Sequence, residues 1–146
     1  MNSTRTLPKT HNSRSSIIFY FLLCLTIFWD FVITIISIVL QALKLYNYPA
    51  PKSPNDFSMC APFLWFLICY IKFQCGKHGN RSEHFGLMIA AIIFLIGSIL
   101  FELYFIFWQP YLWSWEMPLH IVSIVLDGIA IIASIILMII FIVANK

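Results

Sequence analysis

The sequence predicts an all-α membrane protein, a four-transmembrane-helix bundle with both termini cytoplasmic. Three observations carry this. Four apolar stretches, Ser15–Leu43, Phe57–Ile71, Phe85–Trp108 and Pro118–Val143, alternate with short polar breaks. Within them only Asp30, Glu102 and Asp127 carry a formal charge. Of nine lysines and arginines, seven fall in the N-tail (Arg5, Lys9, Arg14), the middle break (Lys72, Lys77, Arg81) and the C-terminus (Lys146). By the positive-inside rule these seven mark the cytoplasmic side.

Composition excludes the soluble classes. The chain is 61% hydrophobic and 10% charged, against about 45–50% and 25% for soluble domains, so a soluble fold of 146 residues could not hide its apolar surface. A formal charge of +3, scattered along the chain, gives no basic surface for nucleic acid. The expected organisation is a disordered cytoplasmic tail over residues 1–14 and one membrane domain over 15–146, with helices at about 15–43, 57–75, 85–108 and 118–143.

The first stretch follows a basic leader, but its apolar run is about twice that of a signal peptide and no small-x-small site follows it. It is expected to stay as a helix. Thr26, Asp30, Thr34, Ser37 and Gln41 recur along it at spacings of four, four, three and four, which makes one polar face. In lipid such a face must point at other helices. Pro49, Pro51 and Pro54 in Tyr46–Asp56 favour an extended crossing to the second stretch. Phe57–Ile71 is short for a span of about 20 residues, and crosses only if Met59–Phe63 and Lys72–Cys75 enter the interfaces, with Lys72 snorkelling to the headgroups.

The third and fourth stretches are long enough to span. Ala91, Ser98 and Glu102 share a face beside Gly97, as do Ser123, Asp127, Ala130 and Ser134. Small and hydroxyl side chains allow close helix approach and bonding across the interface. Trp108, Tyr111, Trp113 and Trp115 form an aromatic belt at the outer boundary, where His120 is also expected.

Asp30, Glu102 and Asp127 are the groups that could carry chemistry. An intramembrane carboxylate costs about 2.5–3.5 kcal/mol on insertion scales and calls for a structural or functional reason. Counting residues puts Asp30 and Asp127 at a common depth, with Glu102 about a turn nearer the outer side. With no basic partner inside the stretches, all three are expected to be protonated and to bond to hydroxyls or backbone. The alternative is a proton or cation pathway, for which no broken helix in stretches one, three or four speaks.

Enzyme signatures are absent: His11, His78, His84 and His120 have no metal spacing, and neither a nucleophile elbow nor a phosphate loop occurs. No metal or cofactor is expected. Cys24, Cys60, Cys69 and Cys75 also lack metal spacing; Cys24 and Cys69 are expected as buried thiols, and Cys75, beside Lys72 and Lys77, is a candidate for palmitoylation. The Asn2 and Asn80 sequons fall on the cytoplasmic side and should remain unmodified.

The most specific segment is Cys75-Gly76-Lys77-His78-Gly79-Asn80-Arg81. It resembles the Gly-x-x-Gly-Asn loop of the transmembrane-17-like tetraspan family of ciliary transition-zone membrane proteins. Leu64–Phe73 is similar to that family's second helix, Lys44 with Tyr48-Pro49 to its first outer loop, and Met117-Pro118-Leu119 to the opening of its fourth helix. The similarity runs from Ser16 to Met138. Cys69 stands where the family usually has glutamate and Lys72 where it has arginine; Asp30 and Asp127 are not family signatures.

Physically, two glycines and an asparagine suit a tight reversal between helices. The resemblance implies a non-enzymatic structural component of a membrane complex that serves cilium assembly and ciliary membrane gating. Gly76, Gly79, Asn80, Lys72, Lys77 and Arg81 would then contact cytoplasmic partners. The implied partners are membrane lipid and other transmembrane and cytoplasmic proteins, with homo- and hetero-oligomers both open. A small transporter or channel subunit using Asp30, Glu102 and Asp127 is the competing reading.

Overall fold

The computed structural model describes residues 16–47, 52–109 and 112–144. The tail over residues 1–14, Tyr48-Pro49, Pro51, Tyr111 and Lys146, all of which carried expectations, lie outside the described residues. Among the described residues the chain forms four α-helices and no strand: α1 (Ile17–Asn47), α2 (Lys52–Ser82), α3 (Phe85–Phe107) and α4 (Glu116–Ala144). All four are long and apolar enough to cross a membrane.

Each helix packs on its two sequence or ring neighbours: α1 on α2, α2 on α3, α3 on α4, and α4 back on α1. The start of α1 and the end of α4 lie at the same end of the bundle, because Phe19 and Leu23 share a buried cluster with Leu137, Phe141 and Met88. The polar faces read from the sequence turn inward. Thr26, Asp30, Thr34, Ser37 and Gln41 of α1 are buried, as are Ser98 and Glu102 of α3 and Ser123, Asp127 and Ser134 of α4. The outward faces are aliphatic and aromatic, for example Phe28, Ile35, Leu67, Ile93, Leu100 and Ile132. Several hydroxyls do not bridge helices as expected. Thr26 donates to the Leu23 carbonyl (2.9 Å), Thr34 to that of Asp30 (2.7 Å) and Ser134 to that of Ala130 (2.8 Å). Bonded to their own helix, they act at the interface as small side chains with no unmet polar atom.

Two breaks are shorter than the sequence suggested. Helix α2 starts at Lys52, so Pro54 lies in its first turn, where proline's missing N–H has no helical partner to lose. The larger correction is at the other end. Gly76, Gly79 and Asn80 form no turn; they are helical, and α2 continues to Ser82. The chain reverses at Glu83, which has φ of 51°. The His84 N–H donates to the Gly79 carbonyl (3.1 Å), which caps the helix in a six-to-one, Schellman-type bond.

The glycines serve packing. A Cβ on Gly76 would lie 2.8 Å from Leu23 Cδ1 of α1, and one on Gly79 would lie 3.1 Å from the Met88 backbone nitrogen of α3. Their absent side chains admit α1 on one side and α3 on the other.

Gly79→Ala is expected to lower the thermal unfolding midpoint in detergent, since a backbone atom must yield. Gly128→Ala, whose Cβ would meet nothing within 4 Å, should leave the midpoint unchanged or raise it, by up to about 1 kcal/mol of helix propensity. Equal losses at both positions would contradict the packing role.

Candidate functional site: a buried ion cluster on four helices

The bundle interior is organised by Lys72 of α2, whose side chain is 1% exposed. It neither snorkels nor faces a loop, contrary to expectation. Since α2 runs ten residues past it, Lys72 sits about 15 Å from the helix end. Its Nζ lies 2.6 and 2.8 Å from the two carboxylate oxygens of Asp127 on α4. It is also 2.8 Å from Asp30 Oδ2 on α1 and 3.2 Å from Ser98 Oγ on α3. One side chain thus ties one residue from each of the other three helices. Asp30 and Asp127 are brought together at a common depth, as their positions predicted, but through a lysine, and the expectation of no basic partner fails.

Ser98 completes this layer. Trp65 Nε1 donates to its Oγ (3.2 Å), as does Lys72. Both are donor-only groups, so they occupy the two lone pairs, and the Ser98 hydroxyl proton is left for Cys69 Sγ at 3.5 Å. Cys69 is the buried thiol the sequence suggested; Cys24 is only half-buried. With Lys72 charged and both carboxyls ionised, the layer carries one surplus negative charge. It is neutral when Asp30 and Asp127 share one proton. Neutrality matters because burying an unpaired charge costs several kcal/mol, on the order of 3–5 when a partner is removed.

Two further layers lie toward the α1 C-terminal end. Glu102 Oε2 of α3 pairs with His120 Nδ1 of α4 at 2.7 Å, and the His120 ring stacks on Phe105 at 5.1 Å. His120 is therefore buried inside the bundle instead of sitting at the interface. Glu102 Oε1, also buried, has no hydrogen-bond partner among the described residues. Beside this pair, Trp29 Nε1 donates to Ser123 Oγ at 3.0 Å, a true α1–α4 bond. At the rim, Lys44 Nζ of α1 meets Glu116 Oε2 of α4 at 2.6 Å, both side chains 4% exposed. The Trp113 N–H also donates to Glu116 Oε2 (3.3 Å). Trp108 and Trp115 lie exposed at this rim.

The remaining sequence candidates are dispersed. Lys77 and Arg81 lie on the last turns of α2; Asn80 is buried against the start of α1; Cys75 is half-buried on α2, about 10 Å inside its end. Among the described residues no group of three or more His, Cys, Asp or Glu could hold a metal ion. Sequence reasoning missed the Lys72 cluster, the His120–Glu102 pair and the Lys44–Glu116 pair. A signal for the first existed: Trp65, Cys69, Lys72, Gly76 and Gly79 recur at four, three, four and three, one helical face running straight through the supposed turn.

The cluster has a testable asymmetry. Asp30→Asn removes the surplus carboxylate and should be tolerated. Asp127→Asn, which loses a two-oxygen contact, should cost more. The double variant leaves Lys72 unpaired and should cost about 3–5 kcal/mol, well above the sum of the singles. Thermal unfolding in detergent, analysed as a double-mutant cycle, measures this; simple additivity would rule out the shared-lysine arrangement.

No curated protein and no solved structure matches the chain. A family model does: Transmemb_17, described as a predicted membrane protein, matches residues 21–127. This segment holds three of the four helices whole or nearly so, every residue of the lysine layer and both layers beyond it. The chain belongs to the Transmemb_17 family of predicted membrane proteins.

Proposed function

We propose that this integral multi-pass membrane protein is a non-enzymatic structural component of a membrane complex. Its site of action on this reading is the ciliary transition zone, where it takes part in cilium assembly and in gating the composition of the ciliary membrane. The plasma membrane is the alternative location. The observation that carries the structural role is that the interior polar groups are engaged with one another: Lys72 is ion-paired with Asp30 and Asp127 and Lys44 with Glu116, and His120 is hydrogen-bonded to Glu102. Such groups hold four helices in one rotation and register. They leave an outward surface of aliphatic and aromatic side chains for lipid and for the helices of other membrane proteins. The ciliary assignment rests on the resemblance around Gly76–Asn80, and the cytoplasmic position of both termini on the distribution of lysine and arginine.

One observation favours the second reading, a small proton- or cation-coupled transporter or channel subunit. The titratable layers form a series from the Lys44 rim through Glu102 to Asp30 and Asp127, and Glu102 Oε1 has no hydrogen-bond partner among the described residues. Against it stands the other half of the bundle, where Phe19, Leu23, Met88, Leu137 and Phe141 pack into an apolar plug. A polar series that stops at mid-membrane supports packing better than passage.

A tagged copy expressed in ciliated cells should concentrate at the cilium base, and an even spread over the plasma membrane would remove the ciliary assignment. In proteoliposomes the protein should carry no proton- or cation-dependent flux. A flux abolished by Asp30→Asn would establish the transporter reading in its place.

A further inference from the structure

Where the start of α1 meets the end of α2, a groove of about 310 Å³ opens at the bundle surface, lined by Ser16, Ile17, Tyr20, Lys77, Asn80 and Arg81. Its base is rigid. Asn80, 4% exposed, accepts from the Ser16 N–H at 2.9 Å and donates to the Ser16 carbonyl at 3.0 Å. Ser16 in turn caps α1, its Oγ accepting from the Phe19 N–H at 3.2 Å. Gly76, a turn below, admits α1 close enough for this contact.

The walls differ in chemistry. Lys77 and Arg81 are four residues apart on one face of α2. Neither has an ion-pair partner among the described residues, and Lys77 only lies over the Phe73 ring at 5.9 Å. The positive end of the α1 dipole points the same way. Opposite, Ile17 (84% exposed), Tyr20 and Phe21 continue the groove as an apolar strip down α1 into the membrane-spanning surface. The chain's first 15 residues cannot supply a counter-charge, since they contain three basic residues and no acid.

Two cations with no ion-pair partner among the described residues, at the end of a candidate membrane span and joined to an apolar strip along it, match an anionic amphiphile. We propose that the groove binds an anionic glycerophospholipid, with its headgroup phosphate between Lys77 and Arg81 and an acyl chain along Ile17, Tyr20 and Phe21. Basic pockets at membrane-helix ends bind acidic headgroups by this combination of charge and apolar contact. The proposal deepens the lipid-contact reading above and rests only on membrane embedding, not on a ciliary location.

The test uses the full chain in detergent, titrated with dioctanoyl phosphatidylserine and followed by thermophoresis. Binding should be saturable, weaken with added KCl because the contact is ionic, and exceed that of dioctanoyl phosphatidylcholine about tenfold, a difference of about 1.4 kcal/mol. K77Q/R81Q should lose that preference and K77R/R81K should keep it. Equal binding of phosphatidylcholine, indifference to KCl, or undiminished binding by K77Q/R81Q would overturn the site. Equally tight binding of glycerol 3-phosphate, which lacks acyl chains, would overturn the lipid as its occupant. The salt and headgroup comparisons need no variant, so they decide the matter even if K77Q/R81Q fails to fold. Failure here would leave localisation at the cilium base untouched.

Discussion

An ammonium group held about 15 Å inside a membrane-spanning helix has no bulk water to solvate it. Every helix of this protein answers to that constraint at Lys72. Asp30, Ser98 and Asp127 each reach the same nitrogen, from α1, α3 and α4. A residue that must touch a fixed point inside the bundle fixes the rotation of its helix about its axis and its height along it. The aliphatic outer surface then follows, because only those faces remain. Hydrophobic driving force distinguishes poorly between helix faces in lipid, so a polar contact of this kind supplies the specificity that side-chain apolarity cannot.

Polarity is unevenly distributed through the membrane thickness. From Lys72 toward the Lys44 rim the interior carries ion pairs at Lys72 and at Lys44, the His120–Glu102 hydrogen bond and indole-to-hydroxyl bonds, with Trp65, Phe105 and Ile33 packed around them. From Lys72 toward the Ser16 end it is Phe19, Leu23, Met88, Leu137 and Phe141, closed by the Asn80–Ser16 bonds. The apolar half can tolerate the very close approach that Gly76 and Gly79 create, since no charge there needs room for a partner. The ion-paired half holds the bundle by contacts that are directional and far less forgiving of rotation.

Much of this was legible in the sequence. The α1 stripe from Thr26 to Gln41 is regular and faces inward without exception, and the depths of Asp30 and Asp127 agreed because both helices are unbroken. What misled was the meaning of glycine and lysine at the edge of an apolar run. A lysine after Ile71 looks like the end of a span when Gln74, Cys75 and Gly76 follow one residue further on, beyond Phe73, because flanking lysines usually reach outward. Glycine and asparagine have two uses, reversal and close packing, and only the periodicity from Trp65 to Gly79 distinguishes them. His120 misled for a related reason: its partner Glu102 lies on another helix, and nothing local to either residue announces the pair. The surplus of acids over bases within the apolar stretches is itself a sign that a flanking base belongs inside the bundle.

The position of Lys72 also bears on how the protein is made. Helix α2 is the least apolar of the four spans, and a lysine at its centre opposes insertion by about 2.5–3.5 kcal/mol. It leaves the ribosome after Asp30 and long before Asp127. Entering the bilayer alone, α2 would carry a bare cation; entering beside α1, it finds a carboxylate of opposite sign at the right level. The first two helices are therefore suited to leave the translocon as a hairpin whose charges cancel. Asp127, the last of the three to be synthesised, locks α4 onto a pair already formed.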